Sequence, residues 1–554
     1  MDGCHFLSLG RPRFGSHAPE DSLQALAAWR RELLEYGPST AASRADGDFA
    51  VGLREPGGRT FLAVDRFAQQ SLCYRIAGDR LEFAARADEL VGARPEIDPQ
   101  AIFDYLYFHC IPSPRTIFTG VARLPPGHCA VFENGQLTVT RYWTPRFGTP
   151  SAHSLDALGE EFRHLLEQSV HRQLDGTKPA CFLSGGTDSS TIAGLIGKVS
   201  GRLAATYSIG FDAAGYDEMA YARIAARHFG TEHHELYLTP DDLVRSIAEV
   251  ACSYDQPFGN SSALPAYYCA RFARADGVSR LLAGDGGDEL FGGNSRYALQ
   301  RIFSLYSDVP SLLRARVIEP ILGIRALHGV SLLRRGASYV EQAKMPMPER
   351  MQLYNLLRRL GFDEILTAGF LARVDAGDAT RQQRGVWQEA EASSELDRTL
   401  AYDWRYTLSE SDLPKVRGTS QLAGIEVGFP FLDRDVLEFS MRLPPHLKLK
   451  GVKLRWFFKH ALRDFLPTEI IGKKKQGFGL PFGVWATQHR ALKRLAIDAL
   501  RSLSGRAIVR TEFIDALIDT HLPVHPGYYG EMVWILMILE HWLQCHAPDY
   551  NARD

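Results

Sequence analysis

The segment Ser184-Gly185-Gly186-Thr187-Asp188-Ser189-Ser190 follows the short apolar run Ala180-Cys181-Phe182-Leu183 and opens a stretch of helical pattern. Two glycines let the backbone come close to a phosphate, the hydroxyls of Ser184, Thr187 and Ser189 add donors, and free N–H groups at a helix start face an anion with a favourable dipole. The loop holds no Lys, so it is not the G-x-x-x-x-G-K-[ST] pattern. Asp188 instead places a carboxylate beside the phosphates, where it could hold Mg²⁺. A second loop, Gly284-Asp285-Gly286-Gly287-Asp288-Glu289-Leu290-Phe291-Gly292-Gly293, sets three carboxylates among five glycines after another apolar run. It lacks the acidic spacing of an EF-hand. Flexible backbone with acidic side chains suits magnesium bridging a phosphate chain. The basic run Lys473-Lys474-Lys475, followed by Gln476-Gly477-Phe478-Gly479, could stabilise charge on the same phosphates. His233 and His234 are neighbours in a strand and point to opposite faces, which argues for a structural role and not a metal pair.

The elements around these loops predict an α/β protein. Up to residue 145 the chain is β-rich, with the runs Phe49–Leu53, Phe61–Val64, Leu72–Ile76 and Leu81–Ala84 parted by turn signals such as Glu55-Pro56-Gly57-Gly58 and Asn134-Gly135. Residues 1–145 are thus expected to form one domain, and Pro145 to Pro150 a linker. Residues 151–554 form the second domain. There, helical spacing over Leu155–Leu174 is followed by strands at 180–183, 204–209, 234–238 and 280–283 with helices between them. Such alternation implies a doubly wound parallel sheet, and two glycine loops at carboxyl ends of its strands would share one crevice. Residues 300 to 400 read as helical and Arg-rich.

Composition excludes several classes. The 554 residues carry a formal net charge of −2, which argues against nucleic acid as a partner. No apolar run reaches the ~20 residues that span a bilayer, and no signal peptide is visible, so no membrane partner is expected. The eight cysteines are scattered without a C-x-x-C pair. This favours a reducing, cytoplasmic compartment over a structural zinc site or a disulfide framework.

With these motifs in order, the chain resembles the asparagine synthetases and their relatives. The likeness runs through Ser184–Ser190, Tyr207–Phe211, Gly230–His234, Asp285–Gly293, Asp412–Val416, Glu426–Asp433 and Lys475–Pro481. It implies an enzyme in which a substrate carboxylate attacks the α-phosphorus of ATP, pyrophosphate leaves, and an amine displaces AMP. On this resemblance Ser184, Gly185, Gly186, Asp188, Ser189 and Gly284 bind ATP, Asp188 and Asp288 hold Mg²⁺, and adenine lies against Leu183 and Ile209. Asp285 and Glu426 are implied in amine activation or substrate positioning, and Lys475 in stabilising charge on the phosphates. The partners implied are a small-molecule or peptide carboxylate and an amine. Relatives often form homodimers, although no exposed stripe in this sequence argues for one.

Two departures bear on the substrate. Glutamine-dependent relatives carry Cys directly after the initiator Met, because its free amine serves as base for its own thiol. Here Asp2 stands in that place and Cys4 follows Gly3, while Asp46 matches an aspartate of the glutamine pocket without its companions. The first domain is therefore expected to be a degenerate glutaminase without glutamine hydrolysis. The second departure is Arg417-Gly418-Thr419-Ser420-Gln421-Leu422 with Gly428, a stretch expected at the aminoacyl end of the site. Both departures are similar to β-lactam and lasso-peptide macrolactam synthetases, whose amine belongs to the substrate. An asparagine synthetase using free ammonia is the alternative.

Overall fold

The computed structural model describes residues 4–15, 17–148, 154–307, 309–314, 316, 339–474, 477 and 479–553. Eight strands make the two larger sheets of the N-terminal part: β1 (His5–Gly10), β2 (Phe49–Arg54), β3 (Thr60–Val64), β4 (Cys73–Ala77), β5 (Arg80–Ala84), β6 (Ala122–Arg123), β7 (His128–Glu133) and β8 (Gln136–Arg141). One sheet has the order β1-β2-β3-β7-β8, the other β5-β4-β6, and every pairing in them is antiparallel. Strand alternation sends Ala50, Leu62, Val64 and Phe132 toward Leu81 and Phe83 of the second sheet. Phe49 and Phe61 point the other way, against Trp29 of the helix Ser22–Tyr36. The Asn134-Gly135 turn forms as expected, both residues having positive φ.

The second part carries a five-stranded parallel sheet: β9 (Ala180–Phe182), β10 (Ala205–Phe211), β11 (Glu232–Leu238), β12 (Arg280–Leu282) and β13 (Glu426–Gly428). Its order is β11-β10-β9-β12-β13, so the winding reverses between the neighbours β9 and β12. The glycine loops follow those two strands. This reversal is where α/β proteins bind ligands, and it supplies the physical reason that loops a hundred residues apart meet. A three-residue fifth strand is too short to be read from periodicity, and β13 was not anticipated.

The two parts are not packed as independent bodies. The helix Pro526–His546 is apolar on all sides, and its Trp534, Ile535 and Ile538 belong to the same hydrophobic cluster as Ile102, Phe103 and Leu106 of the helix Pro99–Phe108. The Tyr105 hydroxyl donates to the Ile535 carbonyl at 2.8 Å. A charged knot lies beside this core. Glu410, 2 % exposed, accepts from the Ser113 hydroxyl at 2.7 Å and from Arg123 at 2.5 Å, and also pairs with Arg405. Burial alone would raise the Glu410 carboxyl, but Arg123 and Arg405 outweigh it and hold the group below its ordinary value. Its contribution to stability is therefore complete at neutral pH and is lost as pH falls through that depressed value. Glu410→Ala leaves two part-buried guanidinium groups without their carboxylate and is expected to cost about 3 kcal/mol, read as a lower urea midpoint at pH 7.

Cys252 and Cys545, 293 residues apart, are joined by a disulfide that ties the end of the helix Pro240–Ser253 to the end of Pro526–His546. This corrects the reading of eight scattered, unpaired thiols: sequence spacing carries no sign of a pair that only the packing of two helix ends brings together. Among the described residues no helix is long and apolar enough to cross a membrane.

Candidate active site

A cavity of about 1040 Å³ opens where β9 and β12 end, and its wall includes Leu183, Ser184, Gly186, Asp188, Ser189, Ile209, Gly284, Asp285 and Asp288. The loops touch: a Cβ on Gly284 would lie 2.8 Å from the Ser189 nitrogen and 3.0 Å from the Asp188 carbonyl carbon, so only glycine permits the approach. Gly185 has φ +68° and backs onto Tyr221 and Ala222. It shapes the turn and does not itself line the cavity. The helix Thr187–Ser200 begins without a side-chain cap, leaving its first N–H groups toward the cavity. Ser184 and Ser189 hydroxyls lie 3.1 Å apart on the loop's inner face.

Phe182, Leu183, Tyr207, Ile209, Pro265, Ala266 and Cys269 make an apolar wall on one side of the cavity. The Leu183 N–H is already donated to the Tyr207 carbonyl at 2.9 Å, and its own carbonyl accepts from the Ser208 hydroxyl at 2.5 Å. Leu183 thus offers surface, not a free N–H.

Asp188 and Asp288 converge on one partner that the sequence reading missed. Arg455 donates to the two oxygens of Asp188 at 2.5 and 2.8 Å and also contacts Asp288 and the Thr187 hydroxyl. It is 5 % exposed and has φ 53°, directly after the hairpin Leu449–Lys450/Lys453–Leu454. The available signal was the basic cluster Lys448, Lys450, Lys453 and Arg455.

A third group of residues forms a separate corner. Lys415 lies 2.8 Å from Asp412 and 3.9 Å from Asp285, and Thr407 completes the wall. Burial pushes the Asp285 carboxyl up to about 6, against the opposing pull of the Lys415 ammonium. Burial disfavours the Lys415 charge, yet Asp412 and Asp285 more than compensate and keep it up at about 12. Asp412 and Lys415 stood in a quoted motif but were given no role.

Glu426 is not in this corner. It starts β13 opposite Arg280, at the amino end of the sheet, whereas the cavity lies at the carboxyl end. Its side chain is 63 % exposed and pairs with Arg11 at 2.7 Å and Arg280 at 2.9 Å. Glu426 therefore does not line the cavity: sequence flanks identify a strand but not which end of it faces the cavity. Glu426→Gln is expected to change the rate of ligation by less than about twofold, since the side chain lies away from the cavity and the amide oxygen can still accept from the buried Arg280; a larger fall in turnover would place Glu426 in the catalytic machinery. The stretch Arg417–Leu422 is likewise displaced. Its helix, Leu413–Leu422, presents Lys415 and Val416 to the cavity, while Arg417 reaches the Gln69 carbonyl of the N-terminal part and Gly418 backs onto Tyr254. Lys475 lies outside the described residues; Lys473 and Lys474 of the same run line the cavity, with Lys473 2.8 Å from Glu218.

An apolar slot, two glycine-lined turns and a charged corner thus share one crevice. The family model described as asparagine synthase matches residues 161–544, and one described as a glutamine amidotransferase domain matches residues 29–143. The chain belongs to the asparagine synthase family and is a carbon–nitrogen ligase. It is similar to asparagine synthetase [glutamine-hydrolyzing] 1 of Bacillus subtilis, 24 % identical over 89 % of this chain and 76 % of the relative. A putative asparagine synthetase [glutamine-hydrolyzing] of Mycobacterium bovis is 28 % identical over 82 % of this chain and 68 % of its own length. Amidase chry2 of Gibberella zeae is 23 % identical over 82 % and 72 %.

Proposed function

We propose that the enzyme adenylates a substrate carboxylate with ATP, releases pyrophosphate, and passes the acyl group to an amine without hydrolysing glutamine itself. The observation that carries this reading is the single cavity in which the two glycine loops meet beside the Asp285–Lys415–Asp412 corner. A carboxylate oxygen attacks the α-phosphorus as the bond to pyrophosphate breaks. The amine nitrogen then attacks the acyl carbon, AMP leaves, and Asp285 accepts the amine proton. Loop N–H groups, Ser184 and Ser189 orient the phosphates, and Arg455, Lys473 and Lys474 offset charge on the departing pyrophosphate.

Asp188 and Asp288 fit a magnesium site, because both carboxylates reach a single cation and Mg²⁺ is commonly held by one or two carboxylates plus substrate phosphates. When bound, the ion would neutralise the phosphate chain.

The absence of glutaminase activity is supported by the fate of Asp46. Arg13 pairs with it at 2.8 Å and bridges to Asp433 of the ligase part at 3.0 Å, so the acid is engaged by the protein itself. Two substrate readings remain. Asp2 in place of the amino-terminal Cys favours a carboxylate whose own amine closes a lactam or macrolactam. The relatives are named asparagine synthetases [glutamine-hydrolyzing], which favours asparagine as the product; without glutamine hydrolysis its amide nitrogen would come from free ammonia. Pyrophosphate exchange into ATP, screened over aspartate and a set of amino-bearing carboxylates, separates them. AMP must be the nucleotide product; formation of ADP would refute the reaction class. Incubation with glutamine should release no glutamate.

A further inference from the structure

We propose that Arg455 keeps a divalent metal out of the Asp188–Asp288 seat until a nucleoside triphosphate arrives, so that metal and nucleotide enter together. The inference rests on the metal reading given under Proposed function and concerns what occupies that seat beforehand.

Arg455 is built into the seat. Its backbone N–H donates to the Gly292 carbonyl at 3.1 Å, anchoring it to the acid loop. Its guanidinium takes both oxygens of Asp188 and also contacts Asp288, while the Phe458 ring lies 5.6 Å from its carbon. Gly293 makes the arrangement possible, because any Cβ there would run into the Asp288 carboxylate and the Arg455 Nε. A Cβ on Gly287 would likewise press on the Asp188 carboxylate, 2.5 Å from its carbon. These glycines therefore make room for two acids and a cation, beyond any service to a phosphate.

The electrostatic consequence follows from the charges. Two carboxylates sharing one guanidinium retain one net negative charge, and a bare divalent ion would have to enter beside a fixed cation in a partly desolvated site. A triphosphate changes the balance. Its oxygens can accept the Arg455 N–H groups, freeing both carboxylates for the metal that the same phosphates carry. Metal and nucleotide then favour each other's binding by the same factor. Arg455 acts here as a positioning residue.

The test uses Mn²⁺ alone as the probe, followed by loss of its free-ion paramagnetic resonance spectrum. Wild type should leave the spectrum nearly unchanged. Arg455→Met should bind one Mn²⁺ about tenfold more tightly or better, within the usual range for coupled sites. Arg455→Lys, which keeps a cation, should behave as wild type, and the double variant Arg455→Met/Asp288→Asn should lose the gain. A merely structural role for Arg455 would produce no gain in metal affinity. Equal Mn²⁺ binding by wild type and a folded Arg455→Met protein would overturn the proposal. Should that variant not fold, the wild type decides: its melting temperature should be unmoved by Mn²⁺ alone and raised by Mn²⁺ with α,β-methylene-ATP. A rise with Mn²⁺ alone would also overturn the proposal. Failure of wild type to bind the nucleotide with metal would instead count against the ligase reading, since the variant titrations need no nucleotide.

Discussion

Asp188→Asn is expected to weaken binding of Mg·α,β-methylene-ATP by ~30-fold or more, because removing one member of a buried, hydrogen-bonded charge set costs about 2 kcal/mol or more. Asparagine keeps the shape of the side chain, so the loop should survive. What is lost is the carboxylate facing both Arg455 and the phosphates, and Arg455 falls back on Asp288 alone. Calorimetry reads the effect directly and needs no knowledge of the second substrate. Unchanged affinity would mean that the triphosphate does not lie between the two loops, and the assignment of this crevice would fail with it.

Asp285→Asn should leave nucleotide binding and pyrophosphate exchange nearly intact while slowing acyl transfer to the amine by about 10²–10⁴-fold, the usual worth of a positioned general base. The split between the two half-reactions is the diagnostic. An equal loss in both would make Asp285 a structural or metal-binding acid. The pH dependence carries a second signature. Asp285 works ionised, and burial raises it to about 6, so transfer should rise with pH along an acid limb at or below that value. A divalent cation nearby can only move the limb lower. The limb should vanish in the variant. Hydroxylamine as acceptor, followed by hydroxamate formation, isolates the step once the exchange screen has supplied the carboxylate.

Much of the site was legible because its signals are local. A buried apolar run, two glycines and an uncapped helix start specify the loop at Ser184–Ser190 without reference to the rest of the chain. The second loop was legible for the same reason, and parallel alternation of elements was enough to predict that the two would meet. What escaped depends on distant packing. Arg455 reaches the loops from a hairpin more than 150 residues beyond Asp288, and its left-handed backbone has no marker in its own residue type. Glu426 was placed in the site because its flanks fit; in a strand three residues long, one end lies at the cavity and the other pairs with Arg11 and Arg280. Cys252 and Cys545 are joined only because two helices end side by side. Asp412 and Lys415 were visible as letters, but their ion pairing beside Asp285 appears only in the folded chain.

The shared core around the helix Pro526–His546 has a consequence for how this enzyme can be dissected. The last long helix of the chain is wrapped on one flank by residues from the first quarter of the sequence, Ile102, Phe103, Leu106 and Phe118 among them. Excising the amino-terminal part would strip a wall of aromatic and aliphatic side chains bare, so the ligase cannot be trimmed to its catalytic half. The amino-terminal module is thus indispensable as masonry for the ligase part, independently of any chemistry of its own.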